Sequence, residues 1–395
     1  MRAFRRRTGA LALALCMGFS AALMAPGAVS AGVVKRSARQ SSAAAVQEST
    51  AGNTALSSGN TGRVVDTSLV SVDGGAKEVT RPAALDQETK DAVAATTAVG
   101  ESQAAVAAAG SRGTEAKVVM SSLFGGDELM MVAPRTVGQQ MSFIITTKNG
   151  SLIVIDGGVP GDAPHMKQLL QQKGGHVAAW FISHPHSDHV GALTAILNDT
   201  ESGITIDNVY YHFTTQDWYE ANEAYRADVV RQCTEALSKL SPAARHPQVH
   251  KGEQIQIDDV KITVLNDPYF FQTNAINNST VVYRMEMGGK RLLFLGDLGV
   301  EGGNRLLNEY RNNPGELRAD IVQMAHHGQS GVDRNVYEAV RPTICLWCAP
   351  AWLWNNDNGG GVNSGNWKTL EVRNWMRQLG AKTHVVAKDG DQVLR

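Results

Sequence analysis

Three histidines and an aspartate fall within residues 184–189, in the stretch HPHSDH. Imidazole nitrogens and carboxylate oxygens are the side-chain donors that divalent transition ions take near neutral pH. Pro185 disfavours helical geometry at His184, so residues 183–188 are expected to leave a strand as an extended loop. Extended chain alternates with period two, which would put residues 184, 186 and 188 on one side. His189 is expected to open the next helix, capped by Ser187 or Asp188. In that geometry His184 and His186 can hold one ion while Asp188 and His189 hold a second beside it.

Such a loop needs strands and helices to aim it. MSFIITT and SLIVIDGG read as a hairpin turning at Asn149-Gly150. VAAWFIS is a short buried strand, and APHMKQLLQQKGG and HVGALTAILND have helical spacing. Further strands are expected at NVYYHF, VKITVLN, STVVYRMEM, RLLFLGD, DIVQMAHH and PTICLWCA, with helices over residues 218–240, 304–311 and 368–379. The alternation predicts an α/β sandwich with two mixed sheets and outer helices. Asp156 closes LIVID before Gly157-Gly158, Asp297 closes LLFLGD, and His326 and His327 follow another apolar run. All lie at the carboxyl ends of expected strands, where open α/β sheets place their sites.

The order VIDGG, SHPHSDHVG, NNSTVVYRMEMGGKRLLFLGD, VQMAHHGQSG resembles the metallo-β-lactamase-fold hydrolases, and most the branch holding the soluble domain of ComEC-type DNA-competence proteins. The resemblance runs from about residue 130 to the end and implies that family's αβ/βα sandwich. It also implies a dinuclear site of Zn or Mn. His184 and His186 would bind the first metal, Asp188 and His189 the second, and Asp297 would bridge. One of His326 and His327 would complete the second site, with the other turned to substrate; Asp188 and His326 are the residues assigned to the chemistry. Asp156 would orient a ligand without holding an ion.

The wider superfamily carries one more histidine before the bridging aspartate. Here Asn278 and Ser279 stand in its place, and His212, His246 and His250 sit in no matching context. A weaker first metal site, or one completed by water, is expected. The reaction implied is hydrolysis by a water whose pKa two ions lower, and an anionic phosphodiester suits two cations better than a lactam. Substrates in view are nucleic acid, a nucleotide or a choline phosphate ester, with Asn278 and Ser279 as polar contacts and Trp354 as a stacking face. A non-catalytic binding module, or a hydrolase of other esters or lactams, is the alternative.

The 395 residues carry 37 Lys and Arg against 38 Asp and Glu, a balance without the basic field that holds nucleic acid, so no stable nucleic-acid complex is expected. Residues 1–31 have a basic start, an apolar run and small residues at Val29 and Ala31, the pattern of a secretory signal peptide. Its removal takes Arg2, Arg5, Arg6 and Arg7 and no acid, moving the formal charge from −1 to −5. A secreted or surface-associated protein with no membrane span after cleavage is expected, its oligomeric state open. Residues 32–114, rich in Ala, Ser, Thr and Gly, read as a low-complexity linker before a domain over residues 115–395. Cys345 and Cys348 lie three apart on a strand and point to opposite faces, which predicts buried thiols rather than a disulfide.

Overall fold

The structure is a computed structural model in which residues 116–395 are described; the expected leader and the linker lie outside them. Two mixed sheets carry the fold. The first has nine strands: β1 (Lys117–Met120), β2 (Glu128–Met131), β3 (Ser142–Thr146), β4 (Leu152–Asp156), β5 (His176–Phe181), β6 (Thr205–Ile206), β7 (Val209–Tyr210), β8 (Arg245–His246) and β16 (Gln392–Leu394). Their order is β1-β16-β2-β3-β4-β5-β7-β8, with β6 also beside β5. The second has seven: β9 (Gln254–Ile257), β10 (Val260–Val264), β11 (Tyr283–Met287), β12 (Lys290–Phe294), β13 (Ile321–Gln323), β14 (Ile344–Trp347) and β15 (Thr383–Val386), in the order β15-β14-β13-β12-β11-β10-β9.

Helices α1 (Ala163–Gln172), α2 (Ser187–Asn198) and α3 (Gln216–Leu237) flank the first sheet. After the short turn α4 (Ala275–Asn278), helices α5 (Val300–Glu309), α6 (Arg334–Val340), α7 (Ala351–Trp354) and α8 (Thr369–Gln378) flank the second. The strand sequences explain the layering, because both faces of each central strand are apolar. Ile153 and Ile155 of β4 face the core between the sheets, while Leu152 and Val154 face α1 and α2. Leu292 and Phe294 of β12 enter the same central core, where Phe143 meets Phe294 edge-on at 5.1 Å, and Leu293 faces the outer helices. Cys345 and Cys348 are free and buried, one in the outer core and one in the central core, on the opposite faces that their spacing demands.

Two local expectations change. Residues 279–282 are not strand: α4 turns the chain first, and β11 starts at Tyr283. The helix of the HPHSDH stretch begins at Ser187 with His186 as its cap residue, so Asp188 sits inside the first turn and caps nothing. The helical turn, not strand alternation, therefore places Asp188, and a carboxylate there is favoured by the amide dipoles of the helix start. Among the described residues no helix is long and apolar enough to cross a membrane.

Candidate metal centre

The centre is assembled from strand ends. β4 and β5 pair in parallel, as do β12, β13 and β14, so their carboxyl ends lie along one rim. β4 ends in Asp156, whose left-handed backbone (φ 54°) turns its carboxylate back under the loop that follows β5. Gly157 lets that end touch α2: its N–H donates to the His189 carbonyl at 2.6 Å, and a Cβ would stand 3.1 Å from the Leu193 nitrogen. The loop after β12 passes Ser183 at Gly296 (φ 52°), where a side chain would press on Thr280 and Ser183. Asp297 follows. After β13, Ala325–Gly328 forms a tight turn in which His326 (φ 50°) and His327 (φ 56°) are both left-handed, uncommon for residues with side chains and frequent at functional sites.

The hydrogen bonds fix three imidazole tautomers. Ser183 Oγ donates to Asp156 Oδ2 at 2.7 Å, so its own oxygen is left to accept from His184 Nδ1 at 3.1 Å. His189 Nδ1 donates to Asp156 Oδ2 at 2.8 Å, and His327 Nδ1 donates to the Cys348 carbonyl at 3.0 Å. With each Nδ1 tied to an oxygen, each Nε2 is the ligating atom. The three Nε2 atoms converge on one carboxylate oxygen, Asp297 Oδ2, at 4.0 Å for His184, 3.2 Å for His189 and 3.5 Å for His327. Asp188 Oδ2 stands 3.1 Å from His327 Nε2 and 4.0 Å from His189 Nε2.

Two donor clusters result: Asp188, His189, Asp297 and His327, and His184, His186 and Asp297, each with ligating atoms within 4.8 Å of one another. Asp297 belongs to both. His184 Nε2, His189 Nε2 and Asp297 Oδ1 are buried without a hydrogen-bond partner, an expensive arrangement for polar atoms unless a cation draws them together. The charges make the same demand. Burial alone would raise the carboxyls of Asp188 and Asp297, yet His189 and His327 hold both well below the usual carboxylate range. Burial likewise lowers His327, but the Asp297 and Asp188 carboxylates outweigh it and raise its imidazole to about 9. These clusters fit divalent metal binding.

His326 differs from its neighbour. Its Nε2 lies 3.9 Å from Asp297 Oδ2, its Nδ1 has no partner, its side chain is 16% exposed, and burial pushes it down to about 4. Of the pair, His327 joins a four-residue cluster and His326 does not.

Three residues expected to touch substrate are otherwise engaged. Asn278 is fully buried; its carbonyl oxygen accepts from the N–H groups of Gly299 (3.2 Å) and Gly302 (3.0 Å), and its amide donates to Thr273 O and Glu301 Oε2. It caps the start of α5. Ser279 donates to the Ile276 carbonyl at 2.7 Å within its own turn. Trp354 already carries the Arg373 guanidinium 3.8 Å over its ring and meets Trp347 edge-on.

One residue was not legible. Glu223 lies inside α3 with non-helical backbone (φ −145°, ψ 64°), a break that turns its carboxylate inward instead of to solvent. Its Oε2 is 3.4 Å from His186 Nε2, and its Oε1 accepts from the Ile276 N–H at 2.9 Å. Burial would raise this carboxyl, but those contacts hold it below its ordinary value. In sequence it is one of three glutamates on a largely polar helix.

Comparison with known proteins agrees with the geometry. Residues 135–341, more than half of the chain, match the family model described as the metallo-beta-lactamase superfamily. The ComE operon protein 3 of Bacillus subtilis is 34% identical over 84 residues, 21% of this chain and 10% of that protein, so the chain spans about a tenth of the length of that relative. Among solved structures, the metallo-beta-lactamase fold protein YhfI from Bacillus subtilis is 11% identical with a TM-score of 0.43, covering 68% of this chain and 98% of its own. A HARLDQ motif mutant of a metallo-beta-lactamase from Cronobacter sakazakii is 17% identical, with a TM-score of 0.34 over 52% of this chain and 78% of its own. The family match over the segment that carries β4, β5, β12, β13 and every residue of the two clusters makes this chain a member of the metallo-beta-lactamase superfamily.

Proposed function

We propose that the protein is a secreted, dinuclear metal-dependent hydrolase of phosphodiesters. The observation that carries this reading is the convergence of three tautomer-fixed Nε2 atoms on Asp297 Oδ2, with Asp188 beside them. A mixed imidazole and carboxylate set suits Zn or Mn. His184 and His186 would hold one ion, Asp188, His189 and His327 the other, and Asp297 both. Two such ions, when bound, supply a water of lowered pKa and neutralise charge on an ester under attack.

The chain's own residues do the rest. Asp156 keeps the His189 proton on Nδ1, and the Cys348 carbonyl does the same for His327. His326, partly exposed beside Asp297, stands where its neutral imidazole can hydrogen-bond a phosphoryl oxygen. An anionic diester is attracted to a dication pair more strongly than a neutral lactam is. The secretion reading rests on the pattern of residues 1–31.

Bis-p-nitrophenyl phosphate, plasmid DNA, choline phosphate esters and a β-lactam should be assayed side by side with Mn and Zn. Metal-dependent turnover of at least one diester, with the lactam untouched, is the expected result; lactam turnover alone would overturn the substrate class. Glu223→Gln keeps the shape and the contact to Ile276 but removes the charge beside His186. It should weaken the ion held by His184 and His186 about tenfold, toward the low end of losses seen for residues behind a ligand. Equilibrium metal titration reads this, and an unchanged affinity would leave Glu223 as a support for α4 alone.

A further inference from the structure

Beyond this centre, His212, His250 and Asp267 bring two imidazoles and a carboxylate together with ligating atoms within 4.8 Å of one another, sharing no residue with the clusters above. Three separate segments supply them. His212 follows β7 near one edge of the first sheet, His250 precedes β9 at the edge of the second, and Asp267 follows β10 beside it.

Each is held by a contact of its own. His212 Nδ1 donates to the Val249 carbonyl at 2.8 Å, which fixes the tautomer and leaves Nε2 with its lone pair, the arrangement that prepares histidine ligands. The His250 N–H donates to Glu253 Oε2 at 3.1 Å, and the Glu253 N–H returns to the His250 carbonyl at 2.9 Å, closing the turn that carries the ring. Buried Asn266 locks the backbone before Asp267, bonding the Asp267 and Thr280 carbonyls and the Val282 N–H. The two imidazoles stand nearly perpendicular, at 89° with centroids 5.2 Å apart, and His250 Nδ1 lies 2.8 Å from Asp267 Oδ1. That contact is a hydrogen bond, and an ion between the two groups would replace it by opening them to the ~3.4 Å separation of tetrahedral ligands.

We propose that His212, His250 and Asp267 form a third divalent-metal site that takes Zn2+ and clips the edge of the first sheet to the edge of the second. Two imidazoles and one carboxylate, with further positions open to water, are a set that favours Zn2+ over Mn2+. His250 and Asp267 are 63% and 53% exposed, so the ion exchanges with solvent and its affinity is modest. Because it joins segments that separate on unfolding, occupancy stabilises the folded chain.

The test is Zn2+ content and thermal unfolding of the full chain after chelation and reloading, compared among the wild type, His250→Ala, Asp267→Asn and Asp297→Asn. His250→Ala and Asp267→Asn should each bind one Zn2+ fewer than the wild type and lose a Zn-dependent rise in Tm on the order of 5 °C. Any phosphodiester turnover should be unchanged in both. Asp297→Asn should keep that third ion, so the result stands apart from whether the main centre is hydrolytic. Equal Zn2+ content in wild type and both surface variants would overturn the proposal, as would an unchanged Tm response.

Discussion

Asp297→Asn is expected to lose one of the two ions of the main centre and to lower phosphodiester turnover on the order of 1,000-fold, about 4 kcal/mol of barrier. The substitution is nearly isosteric, so packing around a residue 1% exposed should hold. What changes is charge and ligand number. Asp297 Oδ2 is the atom on which His184, His189 and His327 converge, and Oδ1 is buried without a partner, so both oxygens are available to two ions. An amide offers one oxygen, no charge, and an NH2 that cannot ligate. Removing the anion between two cations also leaves their repulsion unscreened. Metal content and turnover in the same buffer check this. Both ions of this centre retained, with near-normal turnover, would mean that Asp297 does not bridge them.

Asp156→Asn should act differently, costing about 10–100-fold in affinity for the ion held by Asp188, His189 and His327 while the other ion stays. Asp156 is fully buried and accepts three hydrogen bonds, from the Ser183 N–H, the Ser183 hydroxyl and His189 Nδ1. Asparagine tolerates the left-handed backbone, so the turn survives. Its NH2, however, would face two donors where Oδ2 now faces them. His189 then does best with its proton moved to Nε2, which removes the lone pair that points toward Asp297. Metal-buffered titration separates the two ions, and circular dichroism checks that the fold is kept. Loss of both ions with an intact fold would mean that Asp156 holds more than His189.

The strands that position the centre were readable because their chemistry is local. LIVID, VAAWFIS and LLFLGD are apolar on both faces and stop at a polar residue, and that is how β4, β5 and β12 are built. The clustering of His184, His186, Asp188, His189, Asp297 and His327 follows from those strand ends. What local pattern does not carry is where a side chain's hydrogen bonds are spent. Asn278 looks available in sequence, yet the amides of Gly299 and Gly302 use its oxygen. The ring of Trp354 looks open until Arg373, from another helix, covers it. The break in α3 leaves no mark in NEAYRAD, since only contact with His186 and the Ile276 N–H makes an inward Glu223 worth its backbone distortion. His212, His250 and Asp267 are likewise unremarkable apart, and only the meeting of two sheet edges joins them.

Titration of the metal-free chain with Mn2+, following bis-p-nitrophenyl phosphate hydrolysis at each step, tests the two-ion centre most directly. Mn2+ is the weakest binder of the divalent series at imidazole-rich sites, so the exposed third site stays out of the count. Turnover should be absent in the metal-free chain and reach its plateau at two equivalents per chain. Hydrolysis by the metal-free chain, or two equivalents bound with no turnover of this or any other diester, would contradict a dinuclear phosphodiesterase centred on Asp297.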